Sequence, residues 1–287
     1  MTHPVADSAP IRVMTFNARV HVPEDGKDTW PERAEGVVRL VRYHAPDVVC
    51  FQELAPHQYD FVREALDGYV WAGAGRRDGA VTGEHVPVGV DPDRFRVTDH
   101  ETFWLSETPD DPGSVGWDAA YPRIVTRVSL AHAESAGADA TGPESPAADT
   151  LHVANTHFDH EGERARAESA RVVRERLAAL DGPTVLLGDF NCEPDSDPYR
   201  RLLAGSGPES FGDARHLATE GCLGPDRTFH EFTGDPTIQI DHVFVRGCAV
   251  LRHATLADRV DDDRYPSDHF PLVADIRPGG DTSLADQ

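Results

Sequence analysis

The chain has almost no lysine. Lys27 is the only one, so nearly all of its 27 basic residues are arginines, and they face 50 Asp and Glu. The formal charge is −23. Such acidity, with few lysines, is the composition expected of a protein adapted to concentrated salt, where ions screen self-repulsion. The rival reading is an acidic surface that simply avoids polyanions. The charge therefore argues only weakly against a nucleic-acid substrate.

Cysteine is also scarce. The four, Cys50, Cys192, Cys222 and Cys248, form no C-x-x-C pair and lack zinc-ligand spacing. They read as reduced thiols, and Cys192 is not assigned as a nucleophile. Long apolar runs are missing too, and none approaches the roughly 18 residues of a membrane span. The first ten residues have neither a basic flank nor an apolar stretch, so they do not resemble a signal peptide. A soluble, cytoplasmic, monomeric protein with no membrane partner is expected.

What is present has the length for one sizeable core. Residues 11–277 read as one folded domain, with 1–10 a flexible N-terminus and 278–287 a disordered tail. Residues 131–149, rich in Ala, Gly, Ser, Pro and acid, read as a flexible insertion. Strands are predicted at 11–17, 47–51, 86–90, 102–105, 124–130, 150–155, 184–188, 238–245 and 272–276. Helices are predicted from Trp30 to Pro46, from Pro56 to about Leu66, and at 164–180. Pro31 suits the first turn of its helix, and the strands at 124–130 and 150–155 look like a hairpin. Alternation of strands and helices points to a mixed sheet with helices outside.

Polar groups recur where the strands stop. Asn17 ends TFN, Glu53 follows VVCFQ, and His157 ends VANTH. Asp189 and Asn191 end VLLGDFN, Asp241 lies in QIDHVF, and Asp268-His269 lie in PSDHF. Each residue alone has a bland explanation: a surface carboxylate at Glu53, an Asx-type turn at Asp189 and Asn191, a surface pair at Asp268-His269. Asp241 within an apolar strand is costly without a partner. Together, oxygen donors from carboxylate and amide suit Mg²⁺ or Mn²⁺ rather than zinc. Histidine can move a proton or steady developing charge near neutral pH. That combination fits hydrolysis of a phosphate ester.

At these residues the sequence resembles the endonuclease/exonuclease/phosphatase superfamily, the DNase I-like group. TFN, the strand ending in QE, GDFN and SDH occur in family order across about Ile11 to Ile276. The stretch with FWLSETPD, GWD and YPRIVT further resembles a largely uncharacterised prokaryotic subgroup near the deadenylase-like branch. The resemblance implies a four-layer α/β sandwich, two facing mixed sheets flanked by helices. It also implies roles. Glu53 is the principal metal ligand, with Asn17 and Asp268 close to the ion. Asp189 positions or deprotonates the attacking water, and Asn191 orients Asp189 and touches the phosphate. His269 contacts the scissile phosphate, Asp241 holds His269, and His157 binds the phosphoryl oxygen. Glu84 pairs with His157, and Arg76 or Arg77 supplies a phosphate-binding guanidinium. Two positions depart from the pattern: His242 stands where relatives often have Tyr, and His230 where they often have Asn. Both face substrate in relatives.

The expectation is a divalent-metal-dependent phosphoester hydrolase, either phosphodiesterase or nuclease, or phosphatase, using an activated water in line. Its partner is a phosphorylated substrate, with nucleic acid or a nucleotide among the options. Sugar phosphates and lipid head groups compete with these. A catalytically inactive binding module on the same fold is the alternative from a different class. A glycosidase would leave the Asn and His set unexplained.

Overall fold

Side chains along Ile11–Asn17 point alternately to two different cores. Ile11 and Val13 join one apolar cluster, Met14 and Phe16 another. The same alternation splits Val48 and Cys50 from Val49 and Phe51. It also splits Val185 and Leu187 from Leu186, and Val243 and Val245 from Phe244. A strand with a period of two and apolar residues on both faces must be covered on both sides. Four layers follow.

The computed structural model describes residues 9–133, 150–205, 210–261 and 264–279. The strands are β1 (Ile11–Asn17), β2 (Val48–Gln52), β3 (Val70–Ala72), β4 (Val88–Val90), β5 (Phe95–Trp104), β6 (Ile124–His132), β7 (Leu151–His157), β8 (Thr184–Asp189), β9 (Gly212–Asp213), β10 (Cys222–Leu223), β11 (Asp241–Arg246), β12 (Cys248–Thr255) and β13 (Leu272–Pro278). The α-helices are α1 (Trp30–His44), α2 (Pro56–Ala65), α3 (Glu163–Ala178), α4 (Asp197–Leu203) and α5 (Ala214–Leu217). One sheet has seven strands in the order β10-β12-β13-β1-β2-β4-β3, the other six in the order β5-β6-β7-β8-β11-β9. Both are mixed: β1 pairs parallel with β2 and antiparallel with β13, and β7 pairs parallel with β8 and antiparallel with β6. The largest core lies between the sheets. Helices α1 and α2 cover the outer face of the first sheet, and α3 and α4 that of the second. This is the four-layer sandwich.

The predicted flexible segments lie mostly outside the described residues. Their margins are ordered. Arg94 Nη2 donates to the carbonyls of Ala9 and Pro10, both at 3.4 Å. Strand β6 extends through His132, so residues 131 and 132 belong to the sheet rather than the insertion. Pro278 pairs with Cys248 and closes β13 rather than opening a tail. Among the described residues, no helix is long and apolar enough to cross a membrane.

Candidate active site

The inward face of each strand changes character at one end. On β1 the sequence Ile11, Val13 continues to Thr15 and Asn17. On β7, Leu151 and Val153 continue to Asn155 and His157. On β8, Val185 and Leu187 continue to Asp189, and on β11 Asp241 precedes Val243 and Val245. The alternation that buries the core therefore delivers polar groups to one edge of it. Parallel pairing sets β1 beside β2 with Asn17 opposite Gln52, and β7 beside β8 with His157 opposite Asp189. Antiparallel pairing sets Asp241 opposite Asp189. Gly188 makes the close approach of β7 and β8 feasible. A Cβ there would sit 2.0 Å from the Thr156 carbonyl oxygen, at φ +147°.

Asp189 Oδ2 is the hub. It accepts from Asn17 Nδ2 at 2.9 Å and lies 3.5 Å from His157 Nε2 and 3.9 Å from His269 Nε2. Its other oxygen accepts the Asn191 N–H at 2.9 Å. His269 Nδ1 donates to Asp241 Oδ2 at 2.8 Å. Asn17 Nδ2 also donates to Glu53 Oε1 at 3.1 Å, while Glu53 Oε2 accepts the Val20 N–H at 2.8 Å. Glu53 adopts φ 62°, a left-handed conformation that costs a residue with a Cβ about 1–3 kcal/mol and tends to occur where function requires it. Asp268 accepts from Ser267 Oγ at 3.2 Å, and its Oδ2 is 3.6 Å from Arg19 Nε.

Burial sets the protonation of this set. It pushes the Asp189 carboxyl up to about 7, with the Asp241 charge adding to the effect. Asp268 is raised by burial and by Glu53. Burial also acts upward on Glu53, but the Val20 N–H, the His269 charge and the Asn17 amide outweigh it and hold Glu53 low. For His269, burial opposes the charge, yet Asp241 together with Asp268 and Asp189 raises it to about 10. His157 is held well below its ordinary value by burial, then by the charges of Arg123 and Arg76. The site thus contains a cationic His269 and a neutral His157. A neutral histidine beside a cationic one divides donor and proton-transfer duties.

The predicted residues gather with several adjustments. Asn17, Glu53, His157, Asp189, Asp241 and His269 form one constellation, and Asp268 flanks it. Asn17 presents its NH₂ group to the carboxylates, because its Oδ1 accepts the Arg19 N–H at 2.9 Å. Asn191 orients Asp189 through its main chain, while its side chain donates to the Phe158 carbonyl at 3.0 Å. Glu84 does not pair with His157. Both of its oxygens accept from the Arg76 fork at 2.8 Å, since a planar guanidinium matches a carboxylate in bidentate fashion. Arg77 is exposed. His230 and His242 are each 1% exposed and line no open surface. His230 stacks on Phe270 at 4.0 Å, and His242 Nε2 contacts the Cys192 carbonyl at 2.9 Å.

Two arginines were missed. Arg123, just before β6, is buried and donates to Asp159 at 3.2 Å. Arg33 is fully buried, and its guanidinium donates to the carbonyls of Ala18, Arg19, Asp28 and Pro266. It joins the segment after Asn17 to the one before Asp268.

The donor set fits a divalent cation. Donor atoms of Glu53, His157 and Asp189 all lie within 4.8 Å of one another, as do those of Asp189, Asp241 and His269. Four carboxylates, Glu53, Asp189, Asp241 and Asp268, converge on a largely buried space, and oxygen donors of this kind suit a hard cation.

The profile of the Endonuclease/Exonuclease/phosphatase family matches residues 14–269. The chain belongs to this family. An endonuclease/exonuclease/phosphatase from Bacteroides vulgatus is 32% identical, with a TM-score of 0.83 over 94% of this chain and 100% of that one. A mannosyl-6-phosphatase from Bacteroides thetaiotaomicron is 31% identical, with a TM-score of 0.80 over 93% of this chain and 99% of that one. Among curated proteins, Nocturnin of Xenopus laevis is 24% identical over 300 residues, covering 92% of this chain and 72% of that protein. Membership of the Endonuclease/Exonuclease/phosphatase family places the chain among phosphoester hydrolases.

Proposed function

We propose that the protein hydrolyses a phosphate ester with the help of Mg²⁺ or Mn²⁺. The observation that carries this is the convergence of Asn17, His157 and His269 on Asp189 Oδ2, with Glu53 alongside. Glu53 and Asp268 would hold the cation, with Asp189 within its reach, and Asn17 orients Glu53. When bound, the cation neutralises phosphate charge and polarises the P–O bond.

Asp189, once ionised, orients a water and takes its proton. The Asn191 N–H keeps that carboxylate turned toward the site. His269, cationic and held by Asp241, donates toward the phosphoryl oxygens as charge builds on them. Neutral His157 offers Nε2–H to the same group. Arg76 is held in place nearby by its bidentate pair with Glu84.

A phosphomonoester of a small polyol is the favoured substrate class. The mannosyl-6-phosphatase relative at 31% identity supports it. The test is a screen of mannose 6-phosphate, p-nitrophenyl phosphate, bis-p-nitrophenyl phosphate and an oligonucleotide with Mg²⁺ or Mn²⁺, at low and molar salt. Monoesters are expected to turn over fastest. Undiminished hydrolysis in EDTA would refute the metal requirement, and faster cleavage of the oligonucleotide would move the substrate to nucleic acid.

A further inference from the structure

Each sheet carries one half of the reacting set. Asn17 and Glu53 stand at the ends of β1 and β2, and Asp268 precedes β13, all on the seven-stranded sheet. His157, Asp189 and Asp241 stand on β7, β8 and β11 of the six-stranded sheet. At the site itself two hydrogen bonds cross between the halves, Asn17 to Asp189 and His269 to Asp241. Behind them the core between the sheets is apolar, and apolar contact is non-directional.

Asn155 breaks that apolar surface. It is fully buried, one inward step before His157 on β7. Its amide crosses to the other sheet. Nδ2 donates to the Phe51 carbonyl at 2.8 Å and to the Pro87 carbonyl at 2.9 Å. Oδ1 accepts from Gln52 Nε2 at 2.6 Å, and the same nitrogen donates to Thr15 Oγ1 at 3.0 Å. Phe51 and Gln52 immediately precede Glu53. Hydrogen bonds are short-range and angular, so three of them at one amide define a register as well as a separation. No other group is needed at this point to neutralise charge, since every member of the network is neutral.

We propose that Asn155 is a positioning residue for the hydrolytic reaction, fixing the distance between the Glu53 half and the His157–Asp189 half through Gln52, Phe51 and Pro87. This rests on the phosphoester-hydrolase reading above. Glu53 and Asp268, the ligands assigned above, both belong to the seven-stranded sheet, so loosening the bolt should leave most of the metal affinity intact. Alignment of water, phosphate and cation spans both sheets, so it suffers.

The experiment compares wild type with Asn155→Ala, Asn155→Ser and Val37→Ala, the last a core truncation in α1 away from the bolt. Readouts are kcat and KM for p-nitrophenyl phosphate, Mn²⁺ Kd and Tm. Asn155→Ala is expected to lower kcat about 100-fold, as small misplacements of reacting groups do, with Mn²⁺ Kd within about threefold of wild type. Asn155→Ser, which keeps one donor, should fall between, and Val37→Ala should lower Tm while sparing kcat. If Asn155→Ala does not fold, Asn155→Ser is judged by the same criteria. An unchanged kcat in the Asn155 variants, an equal loss in Val37→Ala, or a loss of Mn²⁺ affinity in step with kcat would each overturn the proposal. Wild type that hydrolyses no phosphoester with either cation would overturn the functional reading instead, and this proposal with it.

Discussion

His269 Nδ1 meets Asp241 Oδ2 at 2.8 Å across the gap between the two sheets. Asp241 lies on β11 of one sheet, and His269 lies just before β13 of the other. Both are nearly inaccessible to solvent. A buried carboxylate at this distance stabilises the imidazolium and fixes the ring's orientation.

Replacing Asp241 with Asn should therefore lower the affinity of His269 for its proton. Loss of kcat by roughly 100-fold or more is expected. The pH–rate profile should also lose activity at lower pH on its alkaline side than wild type does. A variant with normal kcat and an unmoved alkaline limb would mean that the pair is only structural.

The metal-free protein should become less stable as pH rises from 7 to 9. His269 is raised from 6.5 to about 10, so its contribution is complete below pH 6.5 and is lost as pH climbs through about 10. Asp189, raised from 3.8 to about 7, contributes fully below pH 3.8, and most of that is gone by pH 7. Thermal melts in EDTA across pH 7–9 should show Tm falling. A flat or rising Tm contradicts the assignment of His269.

Cation binding should expel a proton below pH 7. A divalent ion near Asp189 competes with the proton that burial keeps on that carboxyl. Calorimetric titration of Mn²⁺ in buffers of different ionisation enthalpy should reveal proton release at pH 6 and far less at pH 8. Equal release at both values would place the displaced proton elsewhere. Asp189→Asn should remove the release and lower turnover by orders of magnitude while leaving the fold intact.

Arg33→Met should destabilise the protein by about 3–5 kcal/mol, because it strands buried carbonyl oxygens that now share one guanidinium. Arg33→Lys should recover only part of this, since an ammonium lacks the planar fork. Chemical denaturation measures both. A loss under about 1 kcal/mol for Arg33→Met would show that water replaces the guanidinium.

Much of the site was legible because strand periodicity and chemistry coincide in it. Asn17 and His157 extend an apolar alternation by two polar steps and Asp189 by one, so the pattern exposes them even though their partners are distant in sequence. Arg33 offered no such signal. It sits among Glu32, Glu35 and Arg39, and carbonyls from residues 18, 19, 28 and 266 make it an interior group. Strand β12 was missed for a related reason: Arg252 and His253 interrupt its apolar run, although His253 is 2% exposed. Glu84 was matched to the wrong partner because its choice of Arg76 depends on how the 73–87 connection folds back on itself, with the Arg76 N–H donating to the Glu84 carbonyl at 3.0 Å.

The inward strand ends have a consequence for descent. The groups proposed to do the chemistry are anchored at the ends of core strands, whereas Arg76 and Glu84 sit in a connection between strands. A lineage can thus rebuild a connection and change which molecule it accepts while inheriting the reaction unaltered. A lineage that alters a strand end loses the reaction for every molecule at once.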